Sequence, residues 1–225
     1  MSGIEALSRN LPESNIKTLN MANCGLGPES IKIIAASLTK NGVHVGLESV
    51  DLSWNRLIGL DESGRGTEDQ TGWEAFCDEL SNTRSIKSFK ATNCGLNPKA
   101  IKVLASNLPA SGLDALDVGS NCLVGLDWRG RGTGDDVNSD PIGSYRILYG
   151  WEELCEALQT TANVKTFKAA DSQLGPEAII KLASTVSEGL SGLEALDVSN
   201  NRFDPSLLDG IKHRVKLNCD ACRPR

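Results

Sequence analysis

Residues Ile16–Leu26 read IKTLNMANCGL, and the pattern returns as IKSFKATNCGL at Ile86–Leu96 and VKTFKAADSQL at Val164–Leu174. Between these copies runs a second version: LESVDLSWNRL at Leu47–Leu57, LDALDVGSNCL at Leu113–Leu123 and LEALDVSNNRF at Leu193–Phe203. The two kinds of unit, A and B, follow one another as A-B-A-B-A-B. Positions 1, 4, 6 and 11 of each unit are apolar, as in Leu113, Leu116, Val118 and Leu123. Positions 4 and 6 alternate with 3 and 5, which predicts a short strand with one face inward. Position 9 is Cys24, Asn55, Cys94, Asn121, Ser172 and Asn201 in turn. There the chain must leave the strand, and an Asn side chain can hydrogen-bond the backbone of such a turn. Stacked units then carry an Asn or Cys column that keeps buried backbone groups paired.

A helix is expected after each strand. In A units it is announced by GPESIKIIAASL from Gly27, NPKAIKVLASNL from Asn97 and GPEAIIKLASTV from Gly175. Proline in the first turn suits a helix start, and an early Glu suits the helix dipole. Ile31, Ile34, Ala35 and Leu38 recur at helical spacing and form one apolar face. B-unit helices are read at 74–80, 152–158 and 206–211. The lone stretch IEALSRNL from Ile4 matches a B-type helix with no strand before it. Residues 1–15 are therefore read as an N-terminal cap, 16–203 as the six units and 204–225 as a C-terminal cap, with Val215–Asn218 as a last edge strand. Caps are required because each unit buries its face only against a neighbour.

The pattern resembles the leucine-rich repeat L-x-x-L-x-L-x-x-N/C-x-L, and the alternation of Cys-type and Asn-type units resembles its ribonuclease-inhibitor class. Ser172 departs from it, standing where an A unit has Cys. The resemblance implies a single α/β domain over 1–225, a leucine-rich-repeat solenoid or horseshoe with parallel strands on the concave face and helices on the convex face. It also implies a non-catalytic protein-interaction module, or a scaffold or assembly subunit. The alternative is a GTPase-activating protein, since some proteins of this class resemble the Ran activator. That family carries a longer array and an acidic tail, whereas this chain ends on Lys212, Arg214, Lys216, Arg223 and Arg225.

Bulk composition agrees with a globular domain. Of 225 residues, 40% are hydrophobic and 23% charged, with a net charge of −6. That charge speaks against a nucleic-acid partner, which needs a basic footprint. No run approaches 18 apolar residues, so no membrane insertion is expected. The start has neither the basic nor the apolar region of a secretory signal. Among seven cysteines, Cys24 pairs with Cys94 by repeat position and Cys77 with Cys155. Such placement predicts buried thiols in a reduced, intracellular, cytoplasmic setting.

Two features lie on surfaces. Outward strand position 5 reads Asn20, Asp51, Lys90, Asp117, Lys168, Asp197, and position 2 reads Lys17, Glu48, Lys87, Asp114, Lys165, Glu194. Both columns alternate in sign, which suits either a ladder of cross-strand ion pairs or a mixed-charge docking face. The second feature is a pair of insertions near 58–72 and 124–150. Unit starts are spaced 31, 39, 27, 51 and 29 residues apart, so two B units are too long. Their extra residues share G-L-D-x-x-G-R-G-T and fall between strand and helix, on one rim, where repeat insertions often bind. Here stand Asp61, Arg65, Asp127, Trp128, Arg131, Tyr145 and Tyr149, with Trp54 just before the first insertion. Aromatic and Arg anchors favour contact with another protein, whereas the Asp–Arg pairs and glycines also suit a shaped structural loop.

Catalytic and metal chemistry find little support. The acidic residues of the insertions do not form a calcium loop, and GRGT is no phosphate loop. Cys219 and Cys222 make a lone C-x-x-C without a second pair. The two histidines, His44 in a helix-to-strand loop and His213 after the last helix, stand beside no nucleophile. No enzyme activity, cofactor or metal is expected.

Overall fold

Three residues of each unit, positions 3 to 5, form its strand, because alternation drives position 4 inward and leaves 3 and 5 facing out. The computed structural model describes residues 3–40, 43–44, 46–124, 148–161 and 163–223. The strands are β1 (Thr18–Asn20), β4 (Ser49–Asp51), β5 (Ser88–Lys90), β6 (Ala115–Asp117), β7 (Thr166–Lys168), β8 (Ala195–Asp197) and β9 (Lys216–Asn218), side by side in one sheet in that order. All pairings in this sheet are parallel, and equal repeat positions lie opposite one another: Leu19, Val50, Phe89, Leu116, Phe167, Leu196 and Leu217 are successive partners. A small antiparallel ribbon, β2 (Thr39–Lys40) with β3 (Val43–His44), follows the first A helix. It replaces the loop expected around His44.

The helices are α1 (Gly3–Asn10), α2 (Pro28–Leu38), α3 (Thr71–Asn82), α4 (Pro98–Asn107), α5 (Tyr149–Thr160) and α6 (Pro176–Glu188). The A helices α2, α4 and α6 begin at their prolines, and Asn97 Oδ1 caps α4 by accepting from the Ala100 N–H at 3.0 Å. The B helices α3 and α5 start about one turn before the expected positions. Their first turns lie against the A helices before them, where a Cβ on Gly72 would stand 2.0 Å from the Pro28 carbonyl oxygen. The third B unit is a correction. Instead of a helix over 206–211 it makes a 3-10 turn, Pro205–Leu208, capped by Asp204. Six residues including Gly210 are too few to repay helix nucleation.

Two devices bolt the units together, and each works in one direction. The Asn at position 9 of each B unit reaches back to the A unit before it. Asn121 Oδ1 accepts from the Cys94 and Leu96 N–H groups at 2.9 and 3.0 Å, and its Nδ2 donates to the Ala91, Val118 and Gly119 carbonyls. Asn55 and Asn201 repeat this arrangement. The Trp opening each B helix reaches forward. The Trp73 indole N–H donates to the Ala100 carbonyl and that of Trp151 to Ala178, both at 2.9 Å and fully buried. Trp73 also packs on Phe76 and Phe89, and Trp151 on Phe167, with ring centroids 6.1 to 6.2 Å apart. The core thus runs unbroken along the array. Side-chain alternation between strand face and helix face closes it from both sides.

The thiols follow the stacking. Cys77, Cys94 and Cys155 are buried, and desolvation pushes Cys94 and Cys155 up to about 12. Cys94 Sγ donates to the Leu52 carbonyl of the unit before it. Cys24, expected to be buried, is exposed, because the first unit has no strand unit stacked in front of it.

Candidate functional site

The rim at the C-terminal ends of the strands is shaped by position 8. Asn23, Trp54, Asn93, Ser120, Asp171 and Asn200 all take left-handed backbone, with φ between 52° and 62°. Asn, Asp and Ser tolerate this region because their short polar side chains bond locally, whereas a bulky side chain there is an outlier. Trp54 is that outlier, and its side chain is 59% exposed. The composition of this column is the sequence signal that sets Trp54 apart.

The first insertion folds as a defined loop directly beyond Trp54. Leu60 and Gly66 bridge antiparallel, and Asp61 N–H donates to the Arg65 carbonyl. Asp61 Oδ1 accepts from the Ser63 and Arg65 backbone N–H groups, each at 2.9 Å. The Arg65 N–H lowers the Asp61 carboxyl most, ahead of Ser63 and the nearby guanidinium charges. Arg65 Nε lies 3.6 Å from Asp61 Oδ2, yet its side chain remains 79% exposed. Asp61 therefore shapes the loop, and Arg65 projects from it. The loop rests on the next unit: a Cβ on Gly95, at φ +69°, would stand 2.1 Å from the Leu60 carbonyl oxygen. Its outgoing end is tied down by Glu68, which accepts from Gln70, Asn97 and Lys99.

The loop and rim enclose two hollows. One, about 270 Å³, lies beneath the loop between Asp61, Gly95 and Asn97 and reaches Ser120 and Gln173. The other, about 340 Å³, continues along the rim from Trp54 past Glu62, Asn93, Ser120 and Asp171 to Asn200 and Arg202. Of the sequence-predicted residues, the structure brings Trp54, Asp61 and Arg65 to this rim. Asp127, Trp128, Arg131 and Tyr145 lie outside the described residues. Tyr149 is the first residue of α5.

The concave face differs from the expected ladder. Lys90 faces Asp51 and Asp117, and Lys168 faces Asp117 and Asp197, in register. Yet among the described residues only Lys17–Glu48, at 3.1 Å, closes as an ion pair on this face. The aspartates instead turn to their own chain. Asp51, Asp117 and Asp197 each accept the N–H two residues on, and Asp117 also accepts from Thr92 Oγ1 and Asp197 from Ser199 Oγ. They cap the turns that carry the rim, and Lys90 and Lys168 stay exposed.

No protein-family model and no curated protein matches the chain. Solved structures do share its architecture. A tropomodulin C-terminal domain from Caenorhabditis elegans superposes with a TM-score of 0.52 at 14% identity, covering 95% of this chain and 91% of that one. Leiomodin-1 actin-binding site 2 gives 0.50 at 14% identity, covering 82% and 85%. Seven parallel strands with helices behind them, on the periodicity of the sequence, decide the fold. The chain is a leucine-rich-repeat solenoid. Read as repeats, its tail gains a meaning that sequence inspection missed. Register places Lys216–Asn218 at positions 3 to 5 of a seventh unit, so Cys219 and Cys222 hold positions 6 and 9. Ala221 takes the left-handed position 8, and Cys222 Sγ donates to the Val198 carbonyl as Cys94 does to Leu52, both at 3.3 Å. The C-x-x-C is repeat spacing. Among the described residues no cluster of His, Cys, Asp and Glu is placed to hold a metal, and no helix is long and apolar enough to cross a membrane.

Proposed function

We propose that this solenoid is a non-catalytic protein-interaction module, serving as a scaffold or assembly subunit, and that it binds another protein through the rim formed by Trp54 and the two insertions. Trp54 carries the reading. Left-handed backbone costs a bulky residue on the order of 1–3 kcal/mol, and the other units meet this position with Asn, Ser, Asp or, in the seventh, the small Ala221. An indole left 59% exposed at such a position returns little to folding, whereas Trp is a favoured anchor of protein interfaces. Arg65, held out by the Asp61 turn, is the second anchor, and Asp127, Trp128, Arg131, Tyr145 and Tyr149 of the longer insertion complete the contact. A reduced intracellular setting suits seven cysteines that form no disulfide.

Trp54→Asn keeps a residue suited to the backbone and removes the indole. It should fold, and it should lose most of the partner captured by the wild-type protein, as should the chain shortened by residues 60–71 and 127–146. Full capture by folded Trp54→Asn would refute the reading. Because the leiomodin segment of this fold is an actin-binding site, monomeric and filamentous actin are the first purified partners to offer.

A further inference from the structure

The groove beside Trp54 carries two carboxylates, Glu62 and Asp171. Glu62 overhangs it from the first insertion, and Asp171 lines its floor. Neither carboxylate meets a hydrogen-bond or ion-pair partner among the described residues. This separates them from Asp51, Asp117 and Asp197, whose carboxylates accept backbone N–H groups, and from Glu68, which holds Lys99 at 3.5 Å. Gln173, two residues beyond Asp171 on the same groove, has its Oε1 buried with no donor among the described residues. A buried acceptor left unpaired is costly, and Gln173 Oε1 beside two exposed, unpartnered carboxylates suits a ligand that brings several N–H groups. The indole of Trp54 supplies the other half of the recognition, since a planar cation stacks on an aromatic face.

Resting on the interaction reading above, we propose that this rim groove receives an extended peptide segment of the partner, with one arginine side chain placed between Trp54, Glu62 and Asp171. Guanidinium fits better than ammonium because it is planar and presents five donors in a fixed fork. The groove crosses five consecutive units, from Trp54 to Asn200. At about 4.8 Å per strand that is roughly 19 Å, the span of about six extended residues. Asn93, Ser120 and Asn200 along it offer amide and hydroxyl groups to a peptide backbone.

The test titrates acetylated, amidated hexapeptides of glycine with a single Arg, Lys or Glu at the third residue into the full-length protein. The Trp54 indole N–H resonance is the reporter, assigned by its absence in Trp54→Asn. The Arg peptide should shift that resonance and bind at least about fivefold more tightly than the Glu peptide and more tightly than the Lys peptide. The double variant Glu62→Gln/Asp171→Asn, both exposed positions, should weaken the Arg peptide at least about fivefold and leave the Glu peptide unaffected. Equal binding of Arg and Glu peptides, Arg binding unchanged in the double variant, or no shift with any peptide overturns the proposal. Partner capture that is lost in Trp54→Asn but kept in the double variant would sink the arginine assignment while leaving the interaction module standing.

Discussion

Asn121→Ala removes the most heavily used side chain of the fold, and its cost follows from the hydrogen bonds it breaks. The amide makes five, two as acceptor and three as donor. Alanine strands the Cys94 and Leu96 N–H groups, both on residues with no exposed surface. An orphaned buried donor costs about 1–3 kcal/mol, so the pair predicts a loss of about 4 kcal/mol. That is a large share of the roughly 5–15 kcal/mol that holds a domain folded. At 2–4 °C per kcal/mol for a chain of this size, the midpoint should fall by roughly 8–16 °C. Asn55→Ala breaks the same five bonds in the first A-B pair. There Cys24 is exposed and its N–H can turn to water, so about half the loss is expected. Urea unfolding followed by far-UV circular dichroism, with thermal scans of the same variants, measures both. A cost below about 1 kcal/mol for Asn121→Ala, or an equal cost at Asn55, would refute the account of the Asn column as a staple between units.

Gly25→Ala and Gly95→Ala share a positive φ, but only the second meets the loop. The first should cost about 1 kcal/mol. The second should cost clearly more and speed proteolysis within residues 59–70, as limited proteolysis would show. In a thiol titration of the native protein at pH 8, Cys24 should react first, while Cys77, Cys94 and Cys155 stay silent until the chain unfolds. Burial raises these three thiols above their ordinary value of 9.0. Their contribution to stability is therefore complete below pH 9 and is lost as pH rises toward 12, because only the unfolded chain gives up the protons. Urea midpoints taken across that window should decline. Lys90→Glu faces Asp51 and Asp117 in register without a contact pair, so it should cost about 0.5 kcal/mol at low salt and nothing measurable in 0.5 M salt.

How much was legible varies with the range of the interaction. The A-B alternation and the positions of Leu113, Leu116 and Val118 were enough for the fold, because strand burial is a matter of local periodicity. The insertions were visible as broken spacing between Leu47 and Ile86 and between Leu113 and Val164. Trp54 was picked out by residue type and place. Its left-handed backbone was implicit in Asn23, Asn93, Ser120, Asp171 and Asn200, but only when those positions are compared as a column. The ion-pair ladder was the reasonable misreading. Register put opposite charges side by side, yet Asp51, Asp117 and Asp197 found nearer donors in their own turns.

The sequence by itself determined the repeating unit, its strand and helix, and the residues available to the rim, since each follows from patterns within a few residues. Tertiary structure alone decided which groups those residues meet. It turned Asn55, Asn121 and Asn201 from turn residues into bonds between units, gave Trp73 and Trp151 their distant carbonyls, and made a seventh repeat of Cys219 and Cys222. Among the described residues it also left the carboxylates of Glu62 and Asp171 unpartnered on the groove beside Trp54. Hydrogen bonds and close contacts act over about 3 Å between segments 27 to 42 residues apart, and that proximity exists only once the units have stacked.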